Sequence, residues 1–384
     1  MGKVRLKQRA MLVLLALCLV AAGAEAAEPV VAGYVFPQNA LLQDGSVSVR
    51  GMTRINYAFA NIQNGRMVEG AATDAQNLTW LVAQKKDHPA LQVLVSVGGW
   101  LWSGGFSDAA RTSQSRNVFA DSVMAFLQRY QLDGLDVDWE YPGMRGAGHK
   151  FRKEDRENFT LLLRALRERF KKESERTHHR LYLTIAAGAS DEFLQHTEMD
   201  KVQALVDAVN LMAYDYYEAG SDETTGNHAP LFTDPHDPKG VSADASVQAF
   251  ERAGVPPEKL VLGVPFYGRM WGDVPDVNHG LFQPGKTVAD AYAPYTRIAG
   301  SLLGHGFVRY WDASSSVPYL YNAEQHVFVS YEDPESLAAK CKYVRKRGLG
   351  GVMFWSYSDD ATGALLGALD RGLSVAGGNT AGSR

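Results

Sequence analysis

The chain has 384 residues, 46% of them hydrophobic and 21% charged, with a formal net charge of −4. That is a globular composition with enough apolar residues for a full-sized core, so one large domain, or one carrying an insertion, is the starting expectation. A mildly acidic chain is a poor match for nucleic acid or an anionic membrane surface, and neither is expected as a partner.

At the N-terminus, Lys3, Arg5, Lys7 and Arg9 precede an apolar run from Met11 to Ala22, followed by Ala24-Glu25-Ala26. This is the pattern of a secretory signal peptide over residues 1–26, cleaved near Ala26, and it predicts a secreted protein, extracellular or periplasmic. The apolar run falls well short of the ~20 residues a bilayer needs, so no membrane anchoring is expected. Leu17 precedes Cys18 where a lipoprotein signal requires a small residue, which argues against lipid attachment. Cleavage would remove four basic residues and Glu25 and move the net charge from −4 to −7. Apart from Cys18 the chain has only Cys341, so the exported protein would have no intramolecular disulfide.

Short apolar, β-branched runs follow at Val30–Phe36, Ile55–Ile62, Gln92–Val97, Leu132–Trp139, Leu181–Ala187, Val206–Met212, Leu260–Phe266 and Gly351–Trp355. Most are separated by segments of helical periodicity, and eight such alternations predict an α/β fold, a closed (β/α)8 TIM barrel. A helix over Glu157–Glu173 carries Phe159, Leu162, Leu163, Leu166 and Phe170 on one stripe. The interval between the seventh and eighth runs is too long for one helix. Rich in aromatics, Gly and Pro, with strand-like pieces such as His326–Ser330, it predicts a small α+β insertion over residues 269–332. The barrel then comprises residues 27–268 and 333–375. Asp333 should cap a helix that begins at Pro334, buries Leu337, Ala338, Cys341 and Val344, and stops before Gly348. Cys341 on that face reads as a packed small hydrophobe. Residues 376–384 form a glycine-rich polar tail.

The chemistry concentrates in the fourth run, Asp133-Gly134-Leu135-Asp136-Val137-Asp138-Trp139-Glu140-Tyr141-Pro142. Strand alternation puts Asp136, Asp138 and Glu140 on the inner face, with Leu135, Val137 and Trp139 facing the helices. Three acids on the inside of a barrel are costly unless paired, hydrogen-bonded or protonated. Like charges this close push their pKa values apart, leaving an acid and an anion side by side, as glycoside cleavage requires. Glu140 has the longest reach and lies at the C-terminal end of the strand, where barrel active sites are found. A magnesium or calcium site would also suit the oxygen chemistry, but ligands from other strands are not evident.

Asp133–Glu140 resembles the DxxDxDxE signature of family 18 glycoside hydrolases, the chitinases. Ser96-Val97-Gly98-Gly99-Trp100 is similar to that family's SxGG motif and Met212-Ala213-Tyr214-Asp215 to its MxYD motif. Further likenesses are Tyr267-Gly268-Arg269 and Phe354-Trp355, and the resemblance runs from Val30 to about Leu373, insertion included. It implies a monomer that hydrolyses chitin or N-acetylglucosamine oligosaccharides without cofactor or metal, by a retaining mechanism in which the substrate's own 2-acetamido group is the nucleophile. Glu140 would be the general acid and base. Asp138 would orient the acetamido group, Asp136 would exchange a proton with Asp138, and Tyr214 and Asp215 would bind the same group and tune the acid. Trp355 would floor the site, and Gly98, Gly99, Trp100, Tyr141, Met212, Tyr34, Phe59, Tyr267 and Arg269 would line it. The spacing of Asp138 and Glu140, about 6.6 Å between Cα atoms, also admits a two-carboxylate retaining scheme.

Trp100, Trp102, Phe106 and Trp271 read as exposed aromatics along a polysaccharide cleft, with loop packing a nearly equal reading for Trp102 and Phe106. The sites of His178, His179, His228 and His236 lack metal-ligand spacing and read as surface or loop positions. Two other functions remain open on the same barrel: an endo-β-N-acetylglucosaminidase acting on N-glycans, and a non-catalytic chitin-binding lectin. The intact carboxylate run speaks against the lectin.

Overall fold

The computed structural model describes residues 28–374; the signal segment with Cys18 and the C-terminal tail lie outside the described residues. In chain order the strands are β1 (Val30–Val35), β2 (Arg54–Gln63), β3 (Arg66–Val68), β4 (Gln92–Gly98), β5 (Gly134–Asp138), β6 (Tyr182–Gly188), β7 (Ala208–Met212), β8 (Leu260–Pro265), β9 (Tyr267–Gly272), β10 (Lys286–Pro294), β11 (Val308–Asp312), β12 (Val317–Asn322), β13 (Val327–Ser330) and β14 (Gly351–Trp355). Strands β1, β2, β4 to β8 and β14 pair in parallel, and β1 joins both β2 and β14, so the sheet closes into a (β/α)8 barrel. All eight expected runs are strands of it.

Both faces of such a sheet are covered, which is why its strands read as nearly unbroken apolar runs. Leu135, Val137, Leu183, Ile185, Val209 and Leu211 point outward into the main core, against helices such as Ser113–Tyr130 and Asp155–Thr177. Inside, the barrel is divided. One side is apolar, with Ala32, Ala58, Ala208, Val261 and Met353. The other buries Asn56, Ser96, Asp136, Thr184 and Asn210 completely. Register sets Ser96, Asp136 and Thr184 in one row across β4, β5 and β6.

The helix expected over Glu157–Glu173 runs Asp155–Thr177, because Asp155 is buried and accepts hydrogen bonds from Ser107 Oγ and the Arg152 N–H at its start. Hairpin strand β3 was not anticipated. It turns at Asn64 and Gly65, both with positive φ, a pair suited to a tight hairpin. Between β8 and β14 the chain forms a second, wholly antiparallel sheet in the order β10-β9-β13-β12-β11. Its own core holds Trp271, Tyr319, Tyr321 and Phe328. Trp271 is therefore not an exposed cleft residue: it is fully buried, and its indole N–H donates to the Asp222 carbonyl at 3.0 Å.

The last long helix spans Pro334–Arg347, with Asp333 accepting from the Glu335 and Ser336 N–H groups and Ser336 Oγ accepting from the Asp333 N–H. Gly348 ends it at φ 65°. Cys341 on its inner face is buried, and burial pushes its thiol up to about 11, which leaves it unreactive. Asp333→Ala removes the cap and its tie to Arg309. It should cost about 1–2 kcal/mol in urea unfolding while leaving the ligand affinity of the distant site unchanged.

Candidate active site

The C-terminal ends of the barrel strands surround a cavity of 670 Å³ lined by Tyr34, Phe59, Gly98, Trp100, Asp138, Glu140, Tyr141, Met212, Tyr214, Asp215, Tyr267, Arg269 and Trp355. Of the residues singled out in the sequence, Asp136, Gly99, Phe106 and Trp271 do not line it. Asp136 lies beneath, and Gly99 supports the wall from behind.

Asp136 is completely buried, and its carboxylate accepts from Tyr34 Oη at 2.7 Å, Ser96 Oγ at 2.9 Å, Thr184 Oγ1 at 2.5 Å and Asn210 Nδ2 at 3.0 Å. Burial raises its pKa and these donors oppose the rise. Asp138, the next inward residue, lacks such help. It is buried, its Oδ1 has no hydrogen-bond partner, and burial together with the Glu140 and Asp136 charges holds its carboxyl well above the usual range. Glu140, just past the strand, is pushed up to about 7 by burial, with Asp215 and Glu218 adding to the rise and the Tyr141 hydroxyl opposing it. An acid that is half protonated near neutral pH thus stands at the cavity wall.

The loop after β4 fixes the backbone that carries these acids. The Asp138 carbonyl accepts from the Gly99 N–H at 2.8 Å and from Ser103 Oγ at 3.1 Å, and Ser103 Oγ in turn accepts from the Glu140 N–H at 2.9 Å. Gly98 sits at φ 106°, where a Cβ would lie 2.2 Å from the Asp138 carbonyl oxygen, so only glycine lets β4 and β5 approach this closely.

On the opposite side Asp215 is gripped by the insertion. Arg269 donates from Nε to Oδ1 and from Nη2 to Oδ2, each at 2.8 Å, and Tyr267 Oη donates to Oδ2 at 2.8 Å. Burial would raise Asp215, but His228 and Arg269 outweigh it and hold the carboxyl well below the usual range. Asp215 is therefore a fixed anion facing an acid that must keep its proton. Tyr214 lies half-buried beside it, and burial together with the Asp138, Asp215 and Glu140 charges holds its hydroxyl well above the usual range. Trp355, at the end of β14, stacks on Phe59 at 5.5 Å between centroids and packs against Tyr34 and Phe36, forming an aromatic floor.

Sequence patterns of this kind and this geometry coincide over most of the chain: residues 30–360 match Glycosyl hydrolases family 18. The chain belongs to glycosyl hydrolases family 18. It is 39% identical over 334 residues to chitinase A1 of Niallia circulans, an alignment covering 82% of this chain and 48% of that protein, so the chain spans about half the length of that relative. A family 18 N-acetylglucosaminidase from Paenibacillus barengoltzii superimposes with a TM-score of 0.83 at 43% identity, covering 90% of this chain and 100% of its own. A class V chitinase variant from Nicotiana tobaccum, solved in complex with NAG4, gives a TM-score of 0.82 at 26% identity over 91% of this chain and 99% of its own.

Several site residues of this family 18 chain escaped the sequence. Phe36, Glu218 and Tyr292 line the cavity, as does Trp102, for which cleft and loop packing were both expected; Tyr292 comes from β10, stacks on Tyr267 at 4.5 Å and donates to Asp359. Phe106 is not in the cleft: it is buried and stacks on the outer face of Trp139 at 5.1 Å. His228, read as a surface or loop position, is completely buried behind Asp215. Among the described residues no helix is long and apolar enough to cross a membrane.

A carboxyl whose folded pKa lies near 7 and whose ordinary value is 4.5 favours folding at low pH and loses that contribution as pH rises through about 7. Glu140→Gln cannot titrate. Relative to the wild type it should therefore gain roughly 3 kcal/mol of stability between pH 4 and pH 8, read by urea unfolding at both; a difference that does not change with pH would place Glu140 in an ordinary solvated setting.

Proposed function

We propose that this protein hydrolyses β-1,4-linked N-acetylglucosamine chains, chitin or its oligomers, by a retaining, substrate-assisted mechanism with Glu140 as general acid and base. The observation that carries it is the pairing of a protonatable Glu140 with a buried Asp138 whose Oδ1 is unpartnered, both at a cavity floored by Trp355. Trp355 presents an aromatic face to the apolar C–H edge of a sugar. Glu140 protonates the glycosidic oxygen as the C–O bond breaks. The substrate's acetamido carbonyl oxygen attacks the anomeric carbon and forms an oxazolinium ion. Asp138 accepts the acetamido N–H on the oxygen that reaches the cavity, and negative charge is drawn to it as its proton passes toward Asp136. Water activated by Glu140 then opens the ring and restores the acid, with the anomeric configuration retained.

The neighbours support the same reading. One is an N-acetylglucosaminidase and another a chitinase solved with NAG4. Export through residues 1–26, and a cleft wall built by residues 269–332, complete the proposal.

Purified protein incubated with chitohexaose should yield short N-acetylglucosamine products of retained anomeric configuration, followed by NMR and mass spectrometry. The pH profile of kcat/KM should fall on its basic side near pH 7, where Glu140 loses its proton. Glu140→Gln should still bind the hexamer but lose at least about 100-fold in kcat; near-normal turnover would remove Glu140 from the role. Release of glycans from an N-glycosylated protein, with chitohexaose untouched, would move the assignment to the endoglycosidase. Binding without hydrolysis of either would make the protein a lectin.

A further inference from the structure

We infer that His228 is a positioning residue for Asp215, a fourth contact that limits how strongly the Asp215 charge is felt at Glu140. The inference rests on the proposed role of Glu140 as the acid. His228 is completely buried, and its Nδ1 lies 3.5 Å from Asp215 Oδ1. Neither ring nitrogen has another hydrogen-bond partner, and the carboxylate oxygen within 4 Å of the ring is Asp215 Oδ1. A neutral imidazole that faces a carboxylate presents an N–H to it, which assigns the proton to Nδ1.

The ring is held there from both sides of the cleft. The His228 N–H donates to Ser330 Oγ on β13 at 2.8 Å, and its carbonyl accepts the Tyr216 N–H at 3.1 Å, directly after Asp215. Its ring packs against Tyr267 at 5.4 Å between centroids. The charged groups around it are Asp215 after β7, Arg269 on β9 and Lys340 on the Pro334–Arg347 helix. Lys340 is itself fully buried, paired with Glu332, and donates to the carbonyl of the adjacent Ala229 at 2.7 Å. Burial, with Arg269 and Lys340 nearby, keeps His228 neutral against the pull of Asp215. The neutral ring therefore acts on Asp215 as a dipole.

Asp215 raises the Glu140 pKa through its charge. Removing the His228 dipole leaves more of that charge uncompensated, so Glu140 should hold its proton to higher pH. The test is a 13C NMR titration of glutamate-labelled wild type, His228→Asn and His228→Phe, with the Glu140 signal identified by its loss in Glu140→Gln. In His228→Phe the Glu140 midpoint should rise by about half a unit or more, the basic limb of kcat/KM should move with it, and kcat should fall about tenfold with KM within twofold. His228→Asn, which retains an N–H donor, should stay close to wild type in all three. Equal midpoints in the three proteins would overturn the inference, as would equal losses of kcat in the Asn and Phe variants with no movement of the midpoint, which would mean packing alone. Wild type that fails to cleave chitohexaose while its Glu140 midpoint still responds to His228→Phe would sink the proposed reaction and leave this contact standing.

Discussion

The rest of the site depends on the burial of three carboxylates carried on, and just past, one short strand. Nothing about β5 allows Asp136, Asp138 and Glu140 to separate, since their spacing is set by the strand and their backbone is tied to Gly99 and Ser103. The protein answers by treating each differently. Asp136 is surrounded with hydroxyl and amide donors, Asp138 is left without a partner on one oxygen, and Glu140 is placed where the cavity reaches it. Three identical functional groups thereby acquire three different proton affinities, and the sharing of protons among them follows from the surroundings of each rather than from the residue type.

The opposite wall works by the inverse logic. Asp215 has to stay ionised at a half-buried place in the same cavity, and a bidentate guanidinium with a tyrosine hydroxyl makes this possible. The guanidinium also bridges to Glu218, 2.9 Å away, so its charge is shared between two carboxylates. Both donors to Asp215 come from β9, which begins one residue after β8 ends. The barrel and the second sheet thus meet chemically at an anion whose charge is felt at Glu140.

The barrel was legible because parallel strands buried on both faces leave apolar runs at regular intervals, and the carboxylate strand stood out because acids interrupted such a run. The Asp333 cap and the Gly348 stop were legible because both are local. What escaped was set by tertiary contacts. Ser103 is one serine in a Gly-rich loop until its hydroxyl is seen bridging Asp138 and Glu140. Tyr292 is far from β7 in sequence, and His228 became a buried neighbour of Asp215 only through the fold. Trp271 was misread because the insertion builds a core of its own, and an aromatic at its entrance fills that core first. The hairpin of β3 did have a local signal, Asn64-Gly65, that went unused.

The second sheet is arranged with its site residues at one end and its free edge at the other. Tyr267, Arg269 and Tyr292 sit on β9 and β10, whereas β11 is the far edge strand and contributes nothing to the cavity lining. The turn joining β11 and β12 is nonetheless tied to the loop that carries His228: the Ser315 carbonyl accepts from the Leu231 N–H at 2.9 Å, and Asp312 accepts from Asn227 Nδ2 at 2.6 Å. The far edge thus reaches the centre through the backing of the wall and not through its lining, so a change there would be felt as a shift in how firmly the loop behind Asp215 is seated.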